Sequence, residues 1–335
     1  MLRRFIACLM AFTCLFAVSA RAAGLPDVAD LPIVSQWDER FQDETFRYGT
    51  TYFRFAGCGP ASIANGIIAA LSVTDQDLAA GLMHDVLLLL TKNQPTKNRV
   101  QLAYLSHLSA TRGQLNEPNE RYAFLDQAVR DFGGSIVYHP GYVNAKTLPD
   151  LLPDPGEGPY VLHGSFTNDN RWIALRELIQ ALTDAGYEDA RIVLSFLGAG
   201  TAQTTSPFRS GTAGHYLNIC MSMAEFLQTG EFYVLDSLPR ALSGEDYGDG
   251  SEFITAYDFV GRQRYNYSLD NFNALFRVER VTPTIVRVVP TGEAKRNVKS
   301  AQQNGSIPLD ALLPALNLVM QFHGTSHIFI TLPEQ

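Results

Sequence analysis

The sequence predicts an α+β protein with a helical first half and a largely antiparallel β second half. Three observations carry that expectation. Apolar residues recur three and four apart in several stretches between residues 58 and 131, the spacing of amphipathic helices. From Ser135 the pattern changes to short runs rich in β-branched and aromatic residues, separated by glycine- and proline-bearing turns. At 335 residues, 46% of them hydrophobic and 18% charged, the chain is long enough to bury a large core.

The first 22 residues stand apart from that pattern. Arg3 and Arg4 precede an apolar run from Phe5 to Val18, and small residues follow at Ala20 and Ala22. This is the pattern of a secretory signal ending in an Ala-Arg-Ala cleavage site, and its apolar run is too short for a membrane span. The mature chain is therefore expected to be exported, periplasmic or extracellular, with no stable membrane insertion. The sequence has 34 acidic and 26 basic residues, and three of the basic ones lie in the leader. An acidic chain without a basic, aromatic-interleaved patch is not built for nucleic acid or an anionic membrane surface. Cys8 and Cys14 leave with the leader, so only Cys58 and Cys220 remain. Two cysteines make no disulfide framework, although one bridge between them is open in an oxidising compartment.

Taken in order, Leu31–Gln36 reads as a short strand, and 37–51 as a polar, aromatic-rich loop. A helix is expected from Cys58 to about Leu71, with Ile63, Ile67 and Leu71 on one face and Asn65-Gly66 interrupting it near an exposed start. Thr74 with Asp77 resembles a capping box and opens a helix through Leu90. Further helices are expected at Arg99–Leu108, Glu120–Asp131 and Trp172–Ala185. Strands are expected at Ser135–His139, Tyr160–Gly164, Arg191–Leu197, Gly214–Met221, Glu231–Leu235, Glu252–Phe259 and Thr284–Val289. Thr291–Ser306 reads as a polar loop, followed by a helix at Pro308–Met320 and a short strand at Ile328–Leu332 of no evident purpose.

The chemistry is concentrated at Cys58, which stands between two glycines at the start of its helix, with Pro60 in the first turn. Glycines on both sides let another backbone approach the sulfur, and a thiol at a helix N-terminus feels the positive end of the macrodipole. An isolated cysteine is more often a small buried core residue. A base further along the chain changes that balance. His215 follows Gly211-Thr212-Ala213-Gly214 at the mouth of a strand, and the next strand ends in Asp236. In an antiparallel pair the start of one strand lies beside the end of the next, so Asp236 could fix the tautomer of His215.

Four motifs in this order, Leu-Pro-Ile-Val-Ser-Gln36, Gly-Cys58-Gly-Pro-Ala-Ser, Gly-His215-Tyr-Leu-Asn-Ile and Tyr-Val-Leu-Asp236-Ser, resemble the bacteriocin-processing-peptidase-like branch of the papain-like cysteine peptidases. The resemblance covers about residues 31–240. It implies a two-lobed papain-like fold, with a helical lobe over about 55–134 and a β lobe over about 135–290. Within 23–290 it implies a triad of Cys58 as nucleophile, His215 as base and Asp236 as orienter, with Gln36 as oxyanion donor and no cofactor. Residues 291–335 form a C-terminal extension of unknown role. The interval from Cys58 to His215 is long for this branch, which implies insertions that reshape the cleft. Gln36 lies farther upstream of the cysteine than the papain pattern keeps it.

The expected activity is hydrolysis of peptide or amide bonds in a peptide or protein substrate. A thiol acyltransferase or amidase on the same fold, resembling phytochelatin-synthase-like proteins, is an alternative, as is a non-catalytic peptide-binding relative. Several rival features carry less. Alternation along the strand from His215 suggests that Cys220 faces away from Cys58 and is a buried thiol. His323 and His327 have a metal-ligand spacing only on a helix, and the residues between and after them favour a strand. The acidic loop Glu245–Glu252 lacks calcium-loop spacing. Gly198-Ala-Gly200 lacks the rest of a dinucleotide motif and reads instead as part of a possible lid over 198–213.

Overall fold

Among the described residues eight strands join one sheet that is apolar on both faces, so helices have to cover both. The computed structural model describes residues 25–42, 53, 57–92, 123–154, 158–166, 171–198, 215–237, 276–312 and 322–334. In chain order the elements are α1 (Cys58–Ala70), α2 (Gln76–Lys92), α3 (Ala123–Phe132), β1 (Ser135–Tyr142), β2 (Tyr160–Phe166), α4 (Arg171–Asp184), β3 (Arg191–Gly198), β4 (His215–Ser222), α5 (Met223–Thr229), β5 (Phe232–Leu235), β6 (Phe276–Thr282), β7 (Ile285–Pro290), α6 (Gly292–Gln303) and β8 (Phe322–Leu332). The strand order is β1-β2-β8-β3-β4-β5-β7-β6. Among the described strands only β1 and β2 pair in parallel; the other ladders are antiparallel. The fold is α+β, as the sequence predicts.

Alternation along the strands builds a core on each face. Leu194, Leu217, Ile219 and Val234 meet Leu175, Ile179 and Leu182 of α4, with Phe226 of α5 and Val298 of α6. On the other face Val161, Val193, Cys220, Leu235 and Phe329 meet α1, α2 and α3. Helix α1 is therefore central. Every residue from Gly59 to Ala70 is buried, and the helix runs through Asn65 and Gly66 without interruption. A Cβ on Gly66 would come within 2.9 Å of the Phe329 ring, so this glycine lets α1 lie close on β8. Asp75, rather than Thr74, caps α2 by accepting the Leu78 N–H at 2.7 Å.

The C-terminal strand is the largest departure from expectation. β8 is eleven residues long and lies between β2 and β3 in the interior of the sheet. Its segment Ser326–Leu332 is buried, and the Thr331 hydroxyl donates to the Ala70 carbonyl at 2.7 Å. The short strand without evident purpose is thus the seam that joins the two halves of the sheet. Residues 292–303 are helical rather than a loop, because Ala294 and Val298, one turn apart, suffice to seat an otherwise polar helix. β6 is an edge strand that the sequence reading did not anticipate. Leu31–Gln36 joins no ladder and is held by the side chains of Asn65, Thr284 and Ser237 and by one backbone bond, from the Gln36 N–H to the Ser237 carbonyl. The expected helix at 99–108 and strand at 252–259 lie outside the described residues, as do the loop 245–252 and most of 198–213.

Candidate active site

Cys58 is the first residue of α1 and is half-buried, whereas the twelve residues after it are buried. It is a free thiol. Gly57 precedes it as N-cap without a side-chain cap, and no acidic residue stands in the first turn to offset the positive helix end. Glycine is required at 57 because a Cβ there would fall 2.5 Å from the Phe53 carbonyl oxygen and 2.0 Å from its ring. The Gly57 N–H donates to that same carbonyl at 2.7 Å, which fixes the approach of the chain to the cysteine.

Polar contacts at both ends set the direction of α1 on the sheet. Near its start, the Ser62 hydroxyl lies 2.7 Å from the Ser195 hydroxyl and donates to the Leu217 carbonyl at 3.2 Å. The Asn218 amide donates to the Ser62 carbonyl at 2.9 Å. At the far end, the Arg191 guanidinium donates to the Ala69 carbonyl and the Ser72 hydroxyl, both at 3.1 Å, and also to the Pro26 carbonyl. Arg191 pairs across the ladder with Ser222, the last residue of β4, so α1 and β4 run in the same direction. Cys58 lies four residues before Ser62, about 6 Å along the helix at about 1.5 Å per residue. At about 3.4 Å per strand residue, that is the level of His215 and Tyr216. The Tyr216 phenol agrees: burial raises its pKa first, and the charge of Cys58 raises it further.

His215 is the first residue of β4 and pairs with Gly198, the last of β3. β4 and β5 pair with Asn218 opposite Leu235, which brings Asp236 to the level of Leu217, two residues from that of His215. Asp236 is buried, and its backbone N–H donates to the Thr284 carbonyl at 2.9 Å. Gln36 is buried beside it. The Gln36 N–H donates to the Ser237 carbonyl at 2.6 Å, and the Ser237 hydroxyl donates to Gln36 Oε1 at 2.9 Å. The start of α1, the start of β4, the exit of β5 and the segment 31–36 thus meet at one end of the sheet.

Cys220 lies on the face that carries α1, so the expectation that it faces away from Cys58 by strand alternation is corrected. A bridge is excluded by position along the helix. Cys220 lies near Arg191, which binds the last turn of α1, and about eleven helical residues, or about 17 Å, separate that turn from Cys58. Cys220 is a buried thiol, as expected, and burial pushes its pKa up to about 12.

Sequence reading missed Tyr216, Ser237 and Asn65. Period-two alternation from Asn218 would have placed Tyr216 on the α1 face, and an asparagine in an otherwise apolar helix was the signal for Asn65. It also missed a buried histidine pair. The rings of His163 and His327 stack with centroids 5.7 Å apart, and His163 also stacks on Tyr138 at 5.3 Å. Neither nitrogen of His163 has a hydrogen-bond partner, nor does Nδ1 of His327. Burial holds His163 well below the usual histidine pKa, with the His327 charge adding to the effect, and burial lowers His327 to about 4. His323 and His327 share strand β8, so their four-residue spacing separates their backbones by about 13 Å.

Among the described residues no cluster of three or more histidine, cysteine or acidic side chains is placed to hold a metal ion, and no helix is long and apolar enough to cross a membrane. No protein-family model matches the chain, and neither a curated protein nor a solved structure matches it.

Proposed function

We propose that the chain is an exported thiol hydrolase that cleaves peptide or amide bonds on a two-lobed, papain-like scaffold. The observation that carries the reading is the meeting, at one end of the sheet, of a half-exposed cysteine on a glycine-flanked helix start with the positions of His215, Asp236 and Gln36. Alternation in β4 gives Tyr216 and Asn218 to the α1 face and Leu217 and Ile219 to the other. The pairing of His215 with Cys58 therefore rests on its place at the rim, as the first rung of the strand.

In this mechanism His215 takes the proton of Cys58, and Asp236 keeps the imidazole in the tautomer that can do so. The thiolate attacks the substrate carbonyl carbon. The carbonyl oxygen becomes an oxyanion, held by the Cys58 N–H and the Gln36 amide at the positive end of the α1 dipole. His215 protonates the leaving amine, and a thioester remains on Cys58. Water, activated by His215, then releases the acid. An amine in place of water would make the same site a transferase. No step needs a metal or cofactor.

The test is turnover. The signal-free chain, kept reduced, is incubated with a mixture of unstructured decapeptides, with and without a free amine, and the products are read by mass spectrometry. New peptide termini that vanish in Cys58→Ala support the hydrolase. Products carrying the added amine would move the assignment to acyl transfer. Unchanged peptides would overturn both.

A further inference from the structure

The segment 31–36 has no strand partner, yet it has to present Gln36 at a fixed distance from a helix. The Thr284 hydroxyl donates to the Ile33 carbonyl at 2.9 Å from the sheet side, and one side chain of the cysteine helix supplies the pairing of Val34. Asn65 is fully buried in α1, seven residues from Cys58. Its Oδ1 accepts the Val34 N–H at 2.9 Å, and its Nδ2 donates to the Val34 carbonyl at 2.9 Å. Both backbone groups of one residue are thereby bound as a neighbouring strand would bind them, but by the helix that carries the nucleophile. Gln36 lies two residues further along the same segment, and its amide is held from the other side by Ser237.

We propose that Asn65 is a positioning residue for the oxyanion site: by clamping Val34 to the cysteine helix it sets where the Gln36 amide stands relative to Cys58. The inference rests on the thiol-hydrolase reading above. The chemistry of the bracket supports it, since an amide offers a donor and an acceptor at the spacing of a peptide unit and no other buried polar side chain of α1 reaches the 31–36 segment among the contacts described. An ordinary core position here would be filled by leucine or alanine. A buried asparagine is retained at a cost in desolvation, and here both halves of its amide are satisfied by the segment that ends in Gln36.

Two reagents separate this role from a structural one. Iodoacetamide reports the thiolate alone: sulfur displaces iodide, a carbon–sulfur bond forms and no oxyanion develops. p-Nitrophenyl acetate reports the thiolate and the oxyanion site together. The sulfur adds to the carbonyl, the oxygen carries negative charge, p-nitrophenolate leaves, and an acetyl thioester forms on Cys58. The ratio of acylation to alkylation rate is measured at one pH for wild type, Asn65→Ala, Gln36→Ala and the double variant.

The expected result is a fall of about tenfold in the ratio for Asn65→Ala, less than the roughly 10²–10³ that outright removal of an oxyanion donor costs, because the donor is displaced and not deleted. The double variant should be no worse than Gln36→Ala alone, as two residues acting through one group require. An unchanged ratio in folded Asn65→Ala, or additive losses in the double variant, would overturn the assignment. Should Asn65→Ala not fold, Asn65→Asp decides. Protonated, the carboxyl can still accept the Val34 N–H and donate to the Val34 carbonyl, so the ratio should recover as pH falls; a flat ratio would count against the clamp. If Gln36→Ala itself leaves the ratio unchanged, the oxyanion role of Gln36 fails and the clamp has nothing to position.

Discussion

Acidification should weaken this fold through two imidazoles that the native state keeps neutral. His327 is buried, and its pKa is lowered from about 6.5 to about 4 by desolvation, with no carboxylate among the causes. In the unfolded chain it titrates near 6.5. Between those two values the unfolded state binds a proton that the folded state refuses. The stabilising contribution is therefore present in full above about pH 6.5 and is lost as pH falls toward 4. At about 1.4 kcal/mol per pH unit, the interval amounts to about 3 kcal/mol. His163 acts in the same sense, being more deeply buried and opposed by the charge of its neighbour. Urea unfolding measured in steps from about pH 7 to about pH 4 gives the curve for wild type. His327→Phe removes the titration and keeps a ring against His163, and at neutral pH it loses no hydrogen bond at Nδ1 because that atom has none. The variant should hold about 3 kcal/mol more of its neutral-pH stability at the acid end. Parallel curves for the two proteins would refute the assignment, because carboxylate losses common to both cancel in the comparison.

Three further outcomes follow from the packing. Removal of residues 313–335 takes out the strand between β2 and β3, and the product should lack cooperative unfolding; a shortened chain that melts like the full one would contradict the central place of β8. Gly66→Ala presses a methyl against the Phe329 ring and should cost about 1–3 kcal/mol in urea unfolding, with no change at all arguing against the close α1–β8 approach. Cys220, with its thiol at about 12, should resist iodoacetamide in the native protein at about pH 8 and react only in denaturant; native labelling would show that its cover is incomplete.

Most strands could be read in the sequence as short runs of β-branched and aromatic residues between turns, and α1 could be read from Gly-Cys58-Gly-Pro. The positions of Cys58, His215, Asp236 and Gln36 followed from motifs and the antiparallel rule. What could not be read was pairing over long sequence distances. Nothing local in Ile328-Phe329-Ile330 says that it enters the sheet between β2 and β3, since a buried central strand and a short buried edge look alike. The helix at 292–303 was hidden because two apolar positions give a weak period. Leu31–Gln36 looked like a strand because it is extended and apolar, yet its hydrogen bonds go to the side chains of Asn65, Thr284 and Ser237 and to a single backbone carbonyl, that of Ser237, and such isolated partners leave no periodic trace. The His163–His327 pair became visible only when β2 and β8 were brought together.

Cys58 and His215 acting as a pair would show in the iodoacetamide alkylation rate of Cys58 against pH, read by peptide mass, in the reduced wild-type chain and in His215→Ala. The expected result is rapid labelling of Cys58 below neutral pH that disappears in His215→Ala, the mark of a thiolate stabilised by an imidazolium. Labelling that rises only near the ordinary thiol value of about 8.5, and equally in both proteins, would contradict it and leave a peptide-binding relative with an unreactive cysteine.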